Sequence, residues 1–440
     1  MDGSRALVSP FEQDGDRAHL SPSRETVRTR AARTVVEQLV TRVRGGSLSI
    51  IGEPGHDSPA RPAAIPTVGT IDVRLDVHDD RFYERLLRDG SVGLGESYAD
   101  GWWNTDDLTG LLRVALRSLR PTHALRDRAH RIATPLLDPV SRLRRASPER
   151  DVRQVRAHYD LGNEFFQRLL DDPMAYSCAI FERPDTTLVE ASRAKFDRIA
   201  HLLDLRPGDR LLEIGTGWGG FALHAAQHYG VSVTTTTVSA RQYEFVQSRV
   251  ADAGLGELVT VLDRDYRDVE GTYDKAVAIE MIEAVDWRDY ETFFRCISER
   301  LTPDGVLAMQ AIVVPDSQFD RLKRHTDFIK AAIFPGGCLP SPQALERAAE
   351  PYGFRQTQQD EFGTHYAETL RRWRRNLEMI TPELVARPQL GLDHRFARLW
   401  DFYFSYCEAG FDEGYIDVIQ SLYAKSPSSV THSSSTSSDR

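Results

Sequence analysis

Three glycines alternate in Glu213-Ile214-Gly215-Thr216-Gly217-Trp218-Gly219-Gly220, where the backbone can close around a small ligand. Leu211-Leu212 leads into this run and Phe221 to Ala226 has helical character, so the segment reads strand, tight turn, helix. A Cβ in such a turn would obstruct the ligand. The chain contains neither GxxxxGKS nor GxxxxGKT, which excludes a P-loop. Its second strand ends in Thr234-Thr235-Thr236-Thr237 rather than in an acid for a ribose, which argues against a dinucleotide site. Glu-x-Gly-x-Gly-x-Gly suits a nucleoside without a pyrophosphate. Other reactive types stand apart from it. Cys178 follows Tyr176-Ser177, a setting that favours a functional role over a merely buried thiol. Glu283 lies just past a predicted strand over 273–279, where catalytic groups of such sheets gather, and Glu280 is its competitor. Tyr366, taken by itself, fits a core aromatic satisfied through its hydroxyl.

Distant segments must be brought together to use these groups. From 210 onward the pattern predicts strand 210–214, helix 219–228, strand 231–237, helix 240–252, strands 258–262 and 273–279, helix 288–301 and strand 306–312. That alternation implies a doubly wound, mostly parallel α/β sheet with right-handed crossovers. Helices over 318–331, 342–350, 364–379 and 395–410, with strands over 354–361 and 416–423, complete the domain. Upstream, a helix from Ala31, strands over 48–51 and 71–77 and a helix over 80–89 make a small α+β domain. The predicted organisation is a flexible leader over 1–27, the small domain over 28–119, a basic linker over 120–150, the main domain over 151–425 and a disordered Ser/Thr-rich tail over 426–440.

The net charge of −10 argues against a nucleic-acid partner. Between Arg113 and Arg156, however, twelve arginines face four acids. That stretch, with Leu370-Arg371-Arg372-Trp373-Arg374-Arg375, suggests attachment to an anionic phospholipid surface. The four cysteines form no CxxC pair, so no metal or disulfide framework is expected and a reducing, cytoplasmic setting fits. No apolar run approaches the length of a membrane span, so if the protein works on a membrane it is expected to do so peripherally, from the inner face of the cell membrane.

The glycine turn resembles that of class I S-adenosylmethionine (SAM)-dependent methyltransferases, whose fold has seven strands. The resemblance implies cofactor contacts from Tyr176 and Ser177, from Glu213, Gly215, Gly217 and Gly219, from Thr237, Val238 and Gln242 after the second strand, and from Asp265 and Tyr266 after the third. A narrower resemblance covers roughly 70 to 425. Leu94-Gly95-Glu96-Ser97-Tyr98 with Gly101-Trp102-Trp103, His158-Tyr159-Asp160 with Gly162-Asn163, Tyr176-Ser177-Cys178-Ala179, the glycine turn, Asp265-Tyr266-Arg267-Asp268 and Ile333-Phe334-Pro335-Gly336-Gly337-Cys338-Leu339-Pro340 are similar to the cyclopropane-fatty-acyl-phospholipid synthase family. That family includes enzymes that modify mycolic acids or make methyl-branched chains.

The implied reaction is methyl transfer to an acyl double bond, through a cation that must be kept from water until a base removes a proton. Ring closure gives a cyclopropane. A hydride shift before proton loss gives a methylene, which a reductase partner would convert to a methyl branch. The family's proposed base is a bicarbonate ion held by a cysteine, a glutamate, a histidine, an isoleucine main chain and a tyrosine. By position these are Cys178, Glu283, Gln310, Ile312 and Tyr366. Gln310 stands where the bacterial cyclopropane synthases have histidine, and Ala284 replaces the histidine that usually follows the glutamate. Glutamine can donate a hydrogen bond to a carboxylate-like anion but carries no charge, so the anion site is expected to survive with altered electrostatics. A homodimer is compatible with this reading.

Overall fold

The alternating β2 (Ile71–Val77) stands between β1 (Gly46–Ile51) and β3 (Trp103–Thr105), a small sheet in the order β1-β2-β3. The computed structural model describes residues 26–41, 43–51, 71–118, 163–387 and 392–425. The leader before Thr26, the basic linker, the His158-Tyr159-Asp160 segment and the tail lie outside the described residues. Helix Val27–Val40 and helix Arg81–Ala99 pack with this sheet. The latter was expected to stop at 89. It kinks at Gly90, with φ of 57°, and continues through Leu94-Gly95-Glu96-Ser97-Tyr98.

The main sheet contains β4 (Arg210–Ile214), β5 (Ser232–Thr237), β6 (Val259–Asp263), β7 (Tyr273–Ile279), β8 (Leu301–Val313), β9 (Phe354–Glu361) and β10 (Asp417–Lys425). Its order is β6-β5-β4-β7-β8-β10-β9, with β10 antiparallel to both neighbours and the other pairs parallel. Phe196, Phe221 and Val246 cover one face, and Phe293, Phe294 and Leu345 belong to the core on the other. The chain leaves β4 to one side and β7 to the other, so the carboxyl ends of these adjacent strands flank the switch point where such sheets bind ligands. Register then fixes two polar positions: Gln310 pairs with Ile279 across β7–β8 and with Gln420 across β8–β10.

Two expectations fail locally. The helix over 318–331 divides into helix Asp316–Leu322 and a π turn, Ile329–Ile333. Asp327 Oδ1 accepts from the Lys330 N–H at 3.0 Å and starts the new turn, while Lys330 Nζ occupies the Leu322 carbonyl at 2.8 Å. The Arg371–Arg375 stretch is not a free basic face. Trp373 is buried, and within helix Gly363–Val385 Arg371 pairs with Glu408 and Asp412, Arg372 with Glu368, and Arg374 with Asp401.

One apolar cluster, which includes Leu75, Phe82, Trp103, Phe328, Trp373 and Phe402, joins the small sheet's elements to the main fold. Gly95 permits the contact, since a Cβ there would lie 2.4 Å from Phe328 Cδ2. Asp401, on helix His394–Asp412, is 2% exposed and accepts from Tyr98 Oη at 2.7 Å and Arg374 Nε at 2.5 Å. Asp401→Ala leaves the guanidinium without its buried partner. It should cost about 3–5 kcal/mol in urea denaturation, and a loss below about 1 kcal/mol would mean that this junction contributes little.

Candidate active site

Gly215 and Gly217 follow β4 with φ of 91° and 52°, in the left-handed region that favours glycine. A Cβ at Gly215 would meet Met281 Cγ at 3.0 Å, whereas one at Gly217 meets nothing within 4 Å. Both residues line a cavity of about 380 Å³. Gly219 does not. It lets Val246 approach, to 2.8 Å from where its Cβ would stand, and so serves helix packing rather than ligand contact.

The other expected cofactor residues converge on this cavity. Tyr176, Ser177 and Glu213 line it near the turn, followed by Thr237, Val238 and Gln242, then Asp265 and Tyr266. Thr237 Oγ1 donates to Gln242 Oε1 at 2.9 Å, leaving Gln242 Nε2 buried without a protein partner. Thr216 Oγ1 and Tyr266 Oη are likewise buried and unpartnered. Unsatisfied polar atoms around a glycine-framed space fit a nucleoside with an amino-acid tail, since a polar ligand would relieve their desolvation. Asp265 is held by Arg267 at 2.7 Å. Burial pushes Glu213 up to about 8, so it stands mainly protonated at neutral pH and accepts from Thr235 Oγ1 at 2.6 Å.

Beyond β7 lies a carboxylate centre. Glu280 lines the cavity, and its Oε1 accepts from the Cys178 N–H at 2.9 Å and from Gln310 Nε2 at 2.7 Å. Its Oε2 accepts from Tyr366 Oη at 2.6 Å. Glu283 Oε1 accepts from the Ile312 N–H at 2.6 Å, and Glu283 Oε2 is buried without a partner. All five residues assigned to the anion site are therefore near one another, but the Cys178 N–H, Gln310 Nε2 and Tyr366 Oη donate to Glu280 and the Ile312 N–H donates to Glu283. The ion expected there is a bicarbonate. The residues do not fit that ion, because Glu280 already engages Cys178, Gln310 and Tyr366, and Glu283 engages Ile312. Cys178 and Gln310 stand behind Glu280 rather than lining the cavity, and the buried thiol is pushed well up by desolvation.

The electrostatics separate the two glutamates. Burial, then repulsion from Glu280, push Glu283 up to about 8. Burial also raises Glu280, but Tyr366, Cys178, Gln310 and Lys195 oppose that rise by favouring its ionised form. Lys195 is fully buried and donates to Ser177 Oγ at 2.6 Å. Burial lowers it to about 8 against the pull of Glu280, Cys178, Asp171 and Glu213. Glu280 itself has φ of 50°, a left-handed conformation costing a non-glycine residue roughly 1–2 kcal/mol. Such strain is retained where surrounding contacts over-determine it, as functional sites do.

The mycolic acid cyclopropane synthetase family model matches residues 146–421. The chain belongs to that family. It is 37% identical over 379 residues to the tuberculostearic acid methyltransferase of Mycobacterium tuberculosis, covering 83% of this chain and 85% of that protein. It is 34% identical to the cyclopropane-fatty-acyl-phospholipid synthase of Escherichia coli, covering 82% of this chain and 91% of that one. The solved mycolic acid cyclopropane synthase complexed with SAH and CTAB is similar at a TM-score of 0.57 and 34% identity, over 62% of this chain and 98% of that one. The protein is thus a SAM-dependent methyltransferase of the cyclopropane synthase type. Among the described residues, no helix is long and apolar enough to cross a membrane, and no cluster of side chains is suited to a metal ion.

Sequence reasoning missed Lys195 and Gln420. Lys195 could have been found because it falls on the buried face of helix Leu188–Leu202 with Ala191, Phe196 and Ile199. Gln420 acts only through register: its Nε2 donates to Gln310 Oε1 at 2.9 Å, while its own Oε1 accepts from Arg198 Nε at 2.9 Å. That chain fixes the Gln310 amide with Nε2 toward Glu280.

Gly217→Ala should weaken SAM binding about tenfold by calorimetry, equivalent to about 1.4 kcal/mol, because its methyl enters the open cavity. Unchanged affinity would place the cofactor elsewhere. A second expectation concerns pH. The folded state holds the Glu283 proton up to about 8, whereas the unfolded chain releases it near the ordinary 4.5. The resulting stability is fully present below that lower value and is lost as pH rises through about 8. Glu283→Gln cannot titrate, so the variant should gain stability relative to the parent between about pH 5 and 8. Parallel urea midpoints at the two pH values would contradict this.

Proposed function

We propose that this enzyme transfers a methyl group from SAM to the double bond of an unsaturated acyl chain in a membrane phospholipid. The carrying observation is one continuous cavity that begins at Gly215 and Gly217, passes Glu280, and extends between Leu116, Ile329, Leu370, Phe411 and Ile416. Its near part offers unsatisfied polar atoms, and its far part offers apolar and aromatic walls suited to a hydrocarbon chain. The names of the relatives, which include a phospholipid synthase, support the same substrate class.

When bound, SAM supplies a methyl group on a positively charged sulfur. Attack by the alkene leaves a cation on the neighbouring acyl carbon. The ring faces of Tyr366 and Phe411, stacked at 4.5 Å between centroids, and those of Tyr176 and Tyr403 are placed to favour a cation and exclude water. Of the two endings, a methylene branch is the one we favour over ring closure. Support comes from the 37% identity to a tuberculostearic acid methyltransferase and from the loss of the expected histidines at Gln310 and Ala284. A separate reductase would then complete a methyl branch.

Purified protein with SAM and vesicles of a monounsaturated anionic phospholipid should yield acyl chains one CH2 heavier by mass spectrometry. The new product should take up hydrogen catalytically, and a hydrogen-resistant product would establish the cyclopropane instead. Turnover of SAM on a soluble compound with unaltered lipids would defeat the lipid reading.

A further inference from the structure

The geometry points to Glu280 as the built-in base of the reaction, doing within the chain what an exchangeable bicarbonate ion was expected to do. The inference rests on the alkene methylation proposed above and names its second step. Cys178 N–H, Gln310 Nε2 and Tyr366 Oη, three of the donors expected to hold the ion, all converge on the Glu280 carboxylate at 2.6–2.9 Å. The main chain of Ile312, a fourth, is engaged by Glu283. A bicarbonate would have to displace a covalently tethered carboxylate from its partners.

The two oxygens of Glu280 are unequal. Oε1 accepts two hydrogen bonds and has both lone pairs engaged. Oε2 accepts only from Tyr366, which leaves one lone pair for a proton from the cavity. Glu283 is the weaker candidate, because only the Ile312 N–H supports its ionised form, whereas three donors support that of Glu280. In the reaction, a C–H bond of the newly added methyl group breaks and its proton passes to Glu280 Oε2. The electron pair of that bond quenches the cation. Direct quenching forms the third ring bond, whereas quenching after a hydride shift forms the carbon–carbon double bond of a methylene. Glu280 returns the proton to solvent when the product leaves, so no further reactant is consumed.

Arg198, Gln420 and Gln310 orient the base through successive hydrogen bonds, each with a donor facing an acceptor. The backbone supplies an independent sign. Glu280 holds a φ of 50°, where glycine would be unstrained, and its own N–H is bonded to the Gln310 carbonyl at 2.8 Å. Glu280→Gly is therefore compatible with the fold and would open a space the size of a small carboxylate among the same donors.

The test compares the parent enzyme, Glu280→Gln and Glu280→Gly on vesicle substrate in buffer freed of carbon dioxide, with and without added bicarbonate. The parent should be equally active in both. Glu280→Gln should lose at least about 100-fold, the scale of a general base, with no recovery, because the amide still fills the place. Glu280→Gly should lose as much and regain activity with bicarbonate. A binding readout accompanies this: the carbon-13 resonance of labelled bicarbonate should broaden with Glu280→Gly and not with the parent, while calorimetry shows equal SAM affinity in all three. A parent that needs bicarbonate, full activity in Glu280→Gln, or bicarbonate bound by the parent at this site would each overturn the assignment. If the parent modifies no lipid under either condition, the substrate reading fails instead, and the carbon-13 contrast still reports whether Glu280 occupies the anion's place.

Discussion

A carboxylate enclosed at the end of β7 is costly unless its surroundings supply hydrogens, and much of the site is arranged to supply them. Tyr366 comes from helix Gly363–Val385, Gln310 from β8, and the Cys178 N–H from the loop before helix Leu188–Leu202. Each belongs to a different part of the fold, so the centre forms only when all three are in place. The neighbouring ionisable groups are adjusted to the same end. Burial raises Glu213 and Glu283 to about 8 and lowers Lys195 to about 8, and it raises Glu280 against the opposing pull of Tyr366, Cys178, Gln310 and Lys195. Two buried carboxylates that repel each other need not both ionise when one receives three donors and the other receives one.

The cavity needs walls as well as a base. The small N-terminal sheet and the helix packed on it contribute through Trp103 and Phe82, which belong to the same apolar cluster as Trp373, Trp400 and Phe402 of the two long C-terminal helices. Those helices in turn present Tyr366, Leu370, Tyr403 and Phe411 to the cavity. Arg371 and Arg374 pair with Glu408, Asp412 and Asp401 of the neighbouring helix, which cross-links the two helices behind the cavity. The π turn Ile329–Ile333 adds Ile329 and Lys330 to the lining, in keeping with the frequent placement of such turns at functional sites.

The sheet was legible because strand and helix periods differ and because central strands such as β4 and β7 are largely apolar. β4, β7 and β9 fall at their expected limits, and the glycine turn falls at the switch point. Less legible were features decided by geometry at a distance. The stretch Arg371 to Arg375 carries no local sign that Glu408, Asp412 and Asp401 will meet it. Gln420 matters because antiparallel pairing sets it opposite Gln310, and register between distant strands is not written in either one. The choice between Glu280 and Glu283 turned on backbone conformation: Glu280, with a left-handed φ, has its side chain among donors that the family resemblance assigned to an ion.

That conformation also explains how a tethered base can be favourable. An ion recruited from solution must lose its translational freedom each time it binds, and the site must hold open a desolvated space for it. A side chain loses that freedom once, during folding, and its donors are already oriented when the substrate arrives. Against this stand the left-handed strain of Glu280, roughly 1–2 kcal/mol, and the burial of its charge. Three hydrogen bonds offset the second cost, and the cohesion of β7 with β8 sustains the first. Burial then becomes useful, because a carboxylate raised above its ordinary range holds a proton more firmly than a solvated one and is the stronger base toward a cation that must be quenched before water reaches it.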